Sequence, residues 1–319
     1  MANQLYASVT GCSSIYNISV SDNHTAPTSQ ATIQCDGTSL GIGDHVTIDL
    51  GYSGNHNRVF SGYVKNITQQ QAPTKYEITC ANAMIRAVDY FLVSTNPDTP
   101  FTRENITAED LIGDLMAECG LTNYDGGSTG FTFQTNGEPL EVNLTSIYDY
   151  CKFIANIVAW HIYADDDGVI HFADRPPFPQ GSDGTVATLS QSNCLTASYF
   201  TSDRDLRNRV VVYGAPGIYA EASAESPYLP AGFFKSVVIA TPILTTLGLA
   251  QDTANYNLNL LNRLTIGGSA TAIGNPAISC RSCVTMNHSA VGATGKFYVY
   301  GCEHSWGQEG YTTTVDLRK

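Results

Sequence analysis

The chain has 319 residues, 43% of them hydrophobic, which is enough for two or three domains and too much for one small barrel. Only 14% are charged, against the usual quarter, so Ser, Thr, Asn, Gln and Tyr must cover the surface, a composition suited to strands and lasting protein contacts. The net charge of −13, with basic residues scattered, argues against stable binding to DNA phosphates, and no apolar run is long enough for stable membrane insertion.

Met1–Gly11 has neither a basic stretch nor an apolar core, so no secretory leader is expected. Residues 1–95 read mostly as strands. Val46, Ile48 and Leu50 alternate with His45, Thr47 and Asp49, Gly51–Asn55 turns the chain, and Phe60, Gly62 and Val64 form the next inward row. Tyr76, Ile78 and Cys80 alternate again. Asn96-Pro97-Asp98-Thr99-Pro100 reads as a linker, because proline disfavours helix at the residue before it.

Residues 96–180 read as an α+β segment. Thr107-Ala108-Glu109-Asp110 is a capping box that opens a helix carrying Leu111, Ile112, Leu115, Met116 and Cys119 on one stripe, with Gly120 as its stop. A second helix starts near Thr145 or Ser146 and carries Ile147, Tyr150, Cys151 and Ile154. Val158–Ala164 and Val169–Ala173 flank Asp165-Asp166-Asp167-Gly168 as a hairpin, and Pro176, Pro177 and Pro179 close the segment. In residues 181–319 strands return, with Asn208–Gly214 nearly continuous in apolar residues. A helix near 246–264 has Ala250, Ala254, Leu258 and Leu261 on one face. Lys296–Trp306 and Tyr311–Leu317 form a last hairpin. The two β regions end alike, each with an aromatic-containing strand, a polar loop and a strand with a tyrosine near its start, Tyr76 and Tyr311.

Several residues invite a chemical reading and each has a plainer one. Cys280 and Cys283 form a CxxC that Cys302 and His304 would complete as a zinc site, but Ala277–Met286 reads as a strand, whose residues three apart point to opposite faces. The nine cysteines are odd in number and widely spaced, which marks reduced, metal-free thiols in a cytosolic chain. The sequons at Asn17, Asn23, Asn66, Asn105, Asn143 and Asn287 follow from an Asn- and Thr-rich composition. Asp165–Asp167 is better explained by a hairpin turn than by a cation loop. Glu138, Glu141, Asp149, Asp203 and Asp205 are the carboxylates from which a glycosidase pair would be drawn, and His161 and His171 are better read as packing or surface residues than as bases. No GxSxG or Walker loop occurs. No catalytic, cofactor or metal residue is therefore expected, and no cofactor.

Four stretches carry a family resemblance: Gly43–Tyr52 with Val59–Val64; Ser146–Trp160 with Asp167-Gly168; Asp205–Gly214; and Phe297–His304 with Gly310–Leu317. In this order and spacing the chain resembles the baseplate hub family of contractile-tailed phages, which includes the late control protein D group and the hub part of type VI secretion spikes. The resemblance implies a mainly β fold with an α+β middle segment and two tube-like antiparallel β-barrel domains, at 1–95 and 181–319. It also implies a non-enzymatic subunit of a homotrimer in the virion tail baseplate, assembled in the host cytoplasm. Its partners would be the tail tube or tube-initiator protein, a central spike protein, other baseplate proteins and the tape measure protein, with DNA only as passing cargo. The sequence stops at Lys319 without a needle repeat, so the spike is expected to be a separate protein. The alternatives are a tail-associated cell-wall hydrolase and a receptor- or carbohydrate-binding tail protein.

Overall fold

The computed structural model describes residues 4–70, 75–93, 101–133, 139–174, 178–263 and 265–319. The expected linker at 96–100 lies outside them, as do Pro176, Pro177 and Glu138. The fold is mainly β. The longer strands are β1 (Leu5–Val9), β2 (Cys12–Asn23), β3 (Gln30–Thr38), β4 (His45–Tyr52), β5 (Asn55–Gln70) and β6 (Lys75–Asn82) in the first part. Helices α1 (Ala108–Glu118) and α2 (Ile147–Val158) follow, with strands β7 (His161–Ala164) and β8 (Ile170–Ala173). The last part holds β9 (Ala187–Ser190), β10 (Cys194–Thr201), β11 (Arg209–Tyr213), β12 (Tyr219–Ser223), β13 (Ser236–Ala240), helix α3 (Leu247–Leu261), β14 (Ile266–Ile273), β15 (Cys283–His288), β16 (Ala293–Gly307) and β17 (Gly310–Arg318).

Twelve strands from both ends of the chain make one sheet. Its order is β1-β4-β5-β6-β3-β2-β16-β17-β14-β10, with β15 also on β16 and β9 on β15. Read as two units, the order repeats: β1-β4-β5-β6-β3-β2, then β9-β15-β16-β17-β14-β10. The repetition extends to register. In β5 a bulge falls between Val64 and Asn66 opposite β6, and in β16 one falls between Val299 and Gly301 opposite β17. In β2 a bulge falls between Ile15 and Asn17 opposite β3, and in β10 one falls between Cys194 and Thr196 opposite β14. Setting Val64 on Val299 brings every one of these registers into step, including Val46–Gly62 onto Val284–Phe297. Tyr76 then falls on Thr313, so the likeness of the two strand ends holds for the elements but not for the tyrosine pair.

The mainly β fold with an α+β middle segment is the expected one. Among the described residues no strand pair closes either unit, and β9 runs parallel to β15. The two units join where β2 pairs with β16 from Asn17–Gly307 to Asn23–Gly301. Alternation explains the two faces of this sheet. Ile18, Ile33, Val46, Ile48, Leu50 and Ile78 are fully buried in one core, and Val284, Val299 and Leu317 in the other.

A third core lies in the middle. Thr107 accepts from Asp110 N and Ser146 from Asp149 N, so both helices start where a side-chain oxygen can satisfy a free backbone N–H. Leu111, Ile112, Leu115 and Met116 of α1 bury fully against Ile147, Cys151 and Ile154 of α2. Val210 and Val212 of β11 and Ala250 and Ala254 of α3 join this cluster, so the small sheet β12-β11-β13 and α3 dock on the middle segment rather than on the last sheet unit. Val158 closes α2 and is not part of the hairpin; Ala159 takes the left-handed cap position at φ 54°. The hairpin starts at His161 and its turn is tied by Asp165, whose carboxylate accepts from Asp167 N and Val169 N.

Candidate functional site

The broad feature with functional potential is the polar face of the twelve-stranded sheet. Residues opposite one another across strands share a face. On this face Ser19, Thr32 and Thr79 align with Ser305 and Thr312, and Gln34 and Glu77 with Asn17. Ser21 aligns with Glu303, Thr314, Thr271 and Thr196, and Gly301 with Asp316, Ser269 and Ser198. Short side-chain bonds lace it together: Gln34 Nε2 donates to Glu77 at 3.0 Å, Ser19 Oγ to Glu303 at 3.3 Å, Ser198 and Ser269 lie 2.9 Å apart, and Thr271 and Thr314 3.0 Å. On the rows that cross the junction the charges are Asp36, Glu77, Glu303 and Asp316 against Lys75 and Arg318, and Asp49, Arg58 and Lys296 lie farther out on the same face. Both cations lie over aromatic rings, Lys75 4.6 Å from the centre of Tyr16 and Arg318 4.7 Å from that of Tyr300. The face is thus wide, hydroxyl-rich and weakly acidic, and it runs across the junction of the two units without interruption.

Behind the junction lies a buried polar cluster that sequence reasoning missed. Arg281 Nη1 donates to Asp22 at 2.6 Å, with the two side chains 7% and 16% exposed, and the guanidinium lies 4.3 Å from the centre of the Tyr163 ring. Asp166, next in the hairpin turn, has its carboxyl pushed up to about 8 by burial and then by Asp22, with Arg281 acting in the opposite direction. The His24 and His161 rings meet at 4.1 Å, and His24 Nδ1 is 3.1 Å from Tyr298 Oη. Burial pushes His161 down to about 3 and holds His24 lower still, so both stay neutral. Neither ring nitrogen of His161 has a hydrogen-bond partner among the described residues. The cluster pins the middle hairpin to the sheet beside the β2–β16 seam. The only hint of it in the sequence is the acidic turn itself.

The residues singled out from sequence are spread over the fold. The strand expected at 277–286 is shorter than thought: residues 277–282 form a turn with Arg281 at φ 72°, and only Cys283–His288 is extended. The argument from opposite faces therefore does not apply to Cys280. Its thiol donates to Tyr300 O at 3.4 Å, while Cys283 donates to Asp183 at 3.3 Å. His304 Nε2 lies 2.9 Å from Ile278 O and 3.5 Å from Cys302 Sγ, and Nδ1 2.7 Å from Tyr311 Oη; burial pushes this histidine down to about 4. Among the described residues no group of three or more His, Cys, Asp or Glu has metal-holding geometry. His171 Nε2 sits 2.8 Å from Asp165 and Nδ1 3.3 Å from Asp125. Asp149 accepts from Ser146 Oγ at 2.6 Å in a helix cap, and Asp203 pairs with Lys235 at 2.9 Å, which holds its carboxyl below the usual range. Glu141 is exposed on a short strand, Leu140–Val142, paired with Phe101–Arg103.

No family model matches the sequence, and no curated protein matches it. The fold is nonetheless a known one, shared with tail proteins of phages and prophages and with type VI secretion components. A tail protein from Neisseria meningitidis MC58 superposes with a TM-score of 0.75 at 12% identity, over 99% of this chain and 97% of that one. The 43 kDa tail protein of prophage MuSo2 from Shewanella oneidensis gives 0.70 at 14%, over 98% and 97%. An E. coli component of the type VI secretion system, itself described as structurally similar to phage T4 tail proteins, gives 0.56 at 10%, over 98% and 76%. At these identities the likeness is one of fold.

Proposed function

We propose that this chain is a non-enzymatic structural subunit of a phage tail, the baseplate hub, and that three copies form a ring between the sixfold tail tube and a threefold central spike. The observation that carries this reading is the duplicated six-stranded unit in a single sheet. Each chain offers two equivalent wall segments, so three chains offer six, the number needed to meet a sixfold tube. Cyclic assembly from one repeated contact is the common route to such rings. The division into units 1–95, 96–180 and 181–319 goes with it: the outer two supply the wall and the middle one, with β11–β13 and α3 docked on it, buttresses the outside.

The polar sheet face then lines the channel. Passing DNA carries about one negative charge per 1.7 Å, and a basic wall would hold it through counterion release. A wall of Ser, Thr and Gln with a few carboxylates has no such grip, and its repulsion reaches roughly 8 Å at physiological salt. The partners in this reading are the tube or tube-initiator protein, the spike, other baseplate proteins and the tape measure protein, in a virion tail built in the host cytoplasm. Native mass spectrometry of the purified chain, with imaging of the assembled tail, tests it. Particles of three 34.3 kDa chains and three copies per ring are the expected result. Six copies per ring, a lone monomer in the tail, or turnover of peptidoglycan by the purified chain would overturn it.

A further inference from the structure

The middle segment and the sheet have separate cores, and beside the β2–β16 seam the groups that meet between them are ionisable. The sheet offers Asp22 and His24 at the end of β2, Cys280 and Arg281 in the turn before β15, and Tyr298 and Tyr300 on β16. Arg318 of β17 lies over the Tyr300 ring. The middle segment offers His161, Tyr163, Asp165 and Asp166 from the hairpin, and Tyr148 and Lys152 from α2. At the hairpin tip, Asp167 lies 3.9 Å from Arg58 of β5. The His24 and His161 rings meet at 4.1 Å, one from each side of the joint. His24 Nε2 and both ring nitrogens of His161 are enclosed, without a hydrogen-bond partner among the described residues. The charges that act on both rings are Lys152 and Arg281, both cations. A polar joint between separately packed cores is where a fold opens first.

We propose that this joint is a proton-operated latch: shut near neutral pH, it opens in acid when His24 and His161 take up protons, and the hairpin leaves the seam while the three cores stay folded. A proton on either ring would face Lys152 and Arg281. Among the described residues no carboxylate at the joint is free to answer it. Asp22 is engaged by Arg281 and Asp165 by His171, and Asp166 keeps its own proton below about pH 8. The shut joint therefore holds both imidazoles neutral, His161 down to about 3 and His24 lower still. In water each takes up its proton at about 6.5. Opening also frees Asp166, which in water gives up its proton above about 4. Between about pH 6.5 and 4, each opening takes up two protons and releases one, so a unit fall in pH favours the open form about tenfold. Between about 6.5 and 8 the histidines are neutral in both forms and Asp166 alone counts, so a unit rise favours opening about tenfold. The latch is tightest near pH 6.5, about where these two slopes meet. It belongs to the single chain and does not depend on the ring.

Hydroxyl-radical footprinting of the full chain, read by mass spectrometry from pH 4.5 to 8, tests the latch. Label on His24 and Tyr298, both buried at the joint, should be lowest near pH 6.5 and rise toward both ends of the range. Phe60, Phe133 and Phe297, one buried in each core, should stay protected throughout. Asp166→Asn removes the released proton, so the alkaline rise should vanish and the acid rise should steepen to about a hundredfold per pH unit. His161→Phe keeps a ring at the contact and leaves one proton in and one out, so the acid rise down to about pH 4 should flatten. Ser61→Cys/Gly168→Cys locks the hairpin tip to β5, because a Cβ at position 168 would lie 3.5 Å from that of Ser61, within reach of a disulfide. Closing the lock with oxidised glutathione should remove both rises, and reducing it should restore them. Label on His24 and Tyr298 that is unchanged between pH 7 and 4.5 would overturn the latch. So would label that rises in step on the three phenylalanines, or an acid rise that persists in His161→Phe or under the closed lock.

Discussion

Replacing Arg281 by Met removes the guanidinium that neutralises Asp22 beneath the sheet seam while keeping most of the side chain's length. The pair is 2.6 Å apart and nearly enclosed. Breaking a buried ion pair from one side costs about 3–5 kcal/mol, chiefly because the remaining charge has lost its partner. Asp22 retains 16% exposure, which places the expected loss at the lower end, about 3 kcal/mol. That corresponds to a fall of about 4–5 °C in Tm for a chain of this size. Met pays the same left-handed backbone strain as Arg at φ 72°, so backbone relief does not confuse the comparison. Asp22→Asn in the same background removes the stranded charge, and the double variant should recover at least about 1 kcal/mol relative to the sum of the single losses. Urea unfolding followed by tryptophan fluorescence and by circular dichroism measures all three. An Arg281→Met loss under about 0.5 kcal/mol, the range of an ordinary surface change, or strict additivity in the double variant, would show that the pair does not pin the hairpin to the sheet.

Buried neutral histidines set the acid limb of stability. His161 and His304 titrate in the folded state at about 3 and 4, against about 6.5 when unfolded. The unfolded chain therefore takes up protons first, and stability present above pH 6.5 is lost as pH falls through 6 toward 4. Asp166 acts in the other direction: its folded value of about 8 lies above the unfolded one, so its contribution is present below about pH 4 and is lost as pH rises toward 8. Stability should peak between roughly pH 6 and 7, and a denaturation midpoint that does not move from pH 7 to 4.5 would refute the assignment. Gly62→Ala would set a Cβ 2.3 Å from Ala81 O, so a loss of about 2 kcal/mol or more or failure to fold is expected. Gly181→Ala meets nothing within 4 Å and serves as the neutral comparison in the same melting experiment. Charge reversal at Glu77, Glu303 and Asp316 to Lys should make the proposed ring retain duplex DNA in a salt-dependent way on a gel-shift assay. No retention at low salt would place these carboxylates away from the channel.

Local chemistry was the legible part of this fold. Thr107 and Ser146 each mark a helix start because a side-chain oxygen there caps a free N–H, and β4 shows its buried row by plain alternation. The bulged strands hid theirs. In β2 the extra residue between Ile15 and Asn17 shifts the phase before Ile18 and Val20, and in β5 the same happens between Val64 and Ile67, so a period of two read straight through fails. The duplication is written in those bulges and registers rather than in shared residues, which is why only its last hairpin left a trace. The Arg281–Asp22 pair joins positions 259 residues apart and depends on a left-handed turn at Arg281 that no neighbouring glycine announces. The polar sheet face was announced only by an overall deficit of charge, since which hydroxyls share a face is decided by strand order.

The seam between β2 and β16 also has a consequence in time. Ser19 and Glu303 are 284 residues apart, and ribosomes add roughly 5–20 residues per second. The outer edge of β2 therefore waits about 15–60 s for its partner strand to be made. During that interval a nascent first unit displays the edge of β2 that β16 later covers. An uncovered strand edge is a template for another chain, which exposes neighbouring chains on the same message to mispairing. Slowing elongation late in the message should raise the insoluble fraction of this protein, and a chaperone that masks strand edges should lower it.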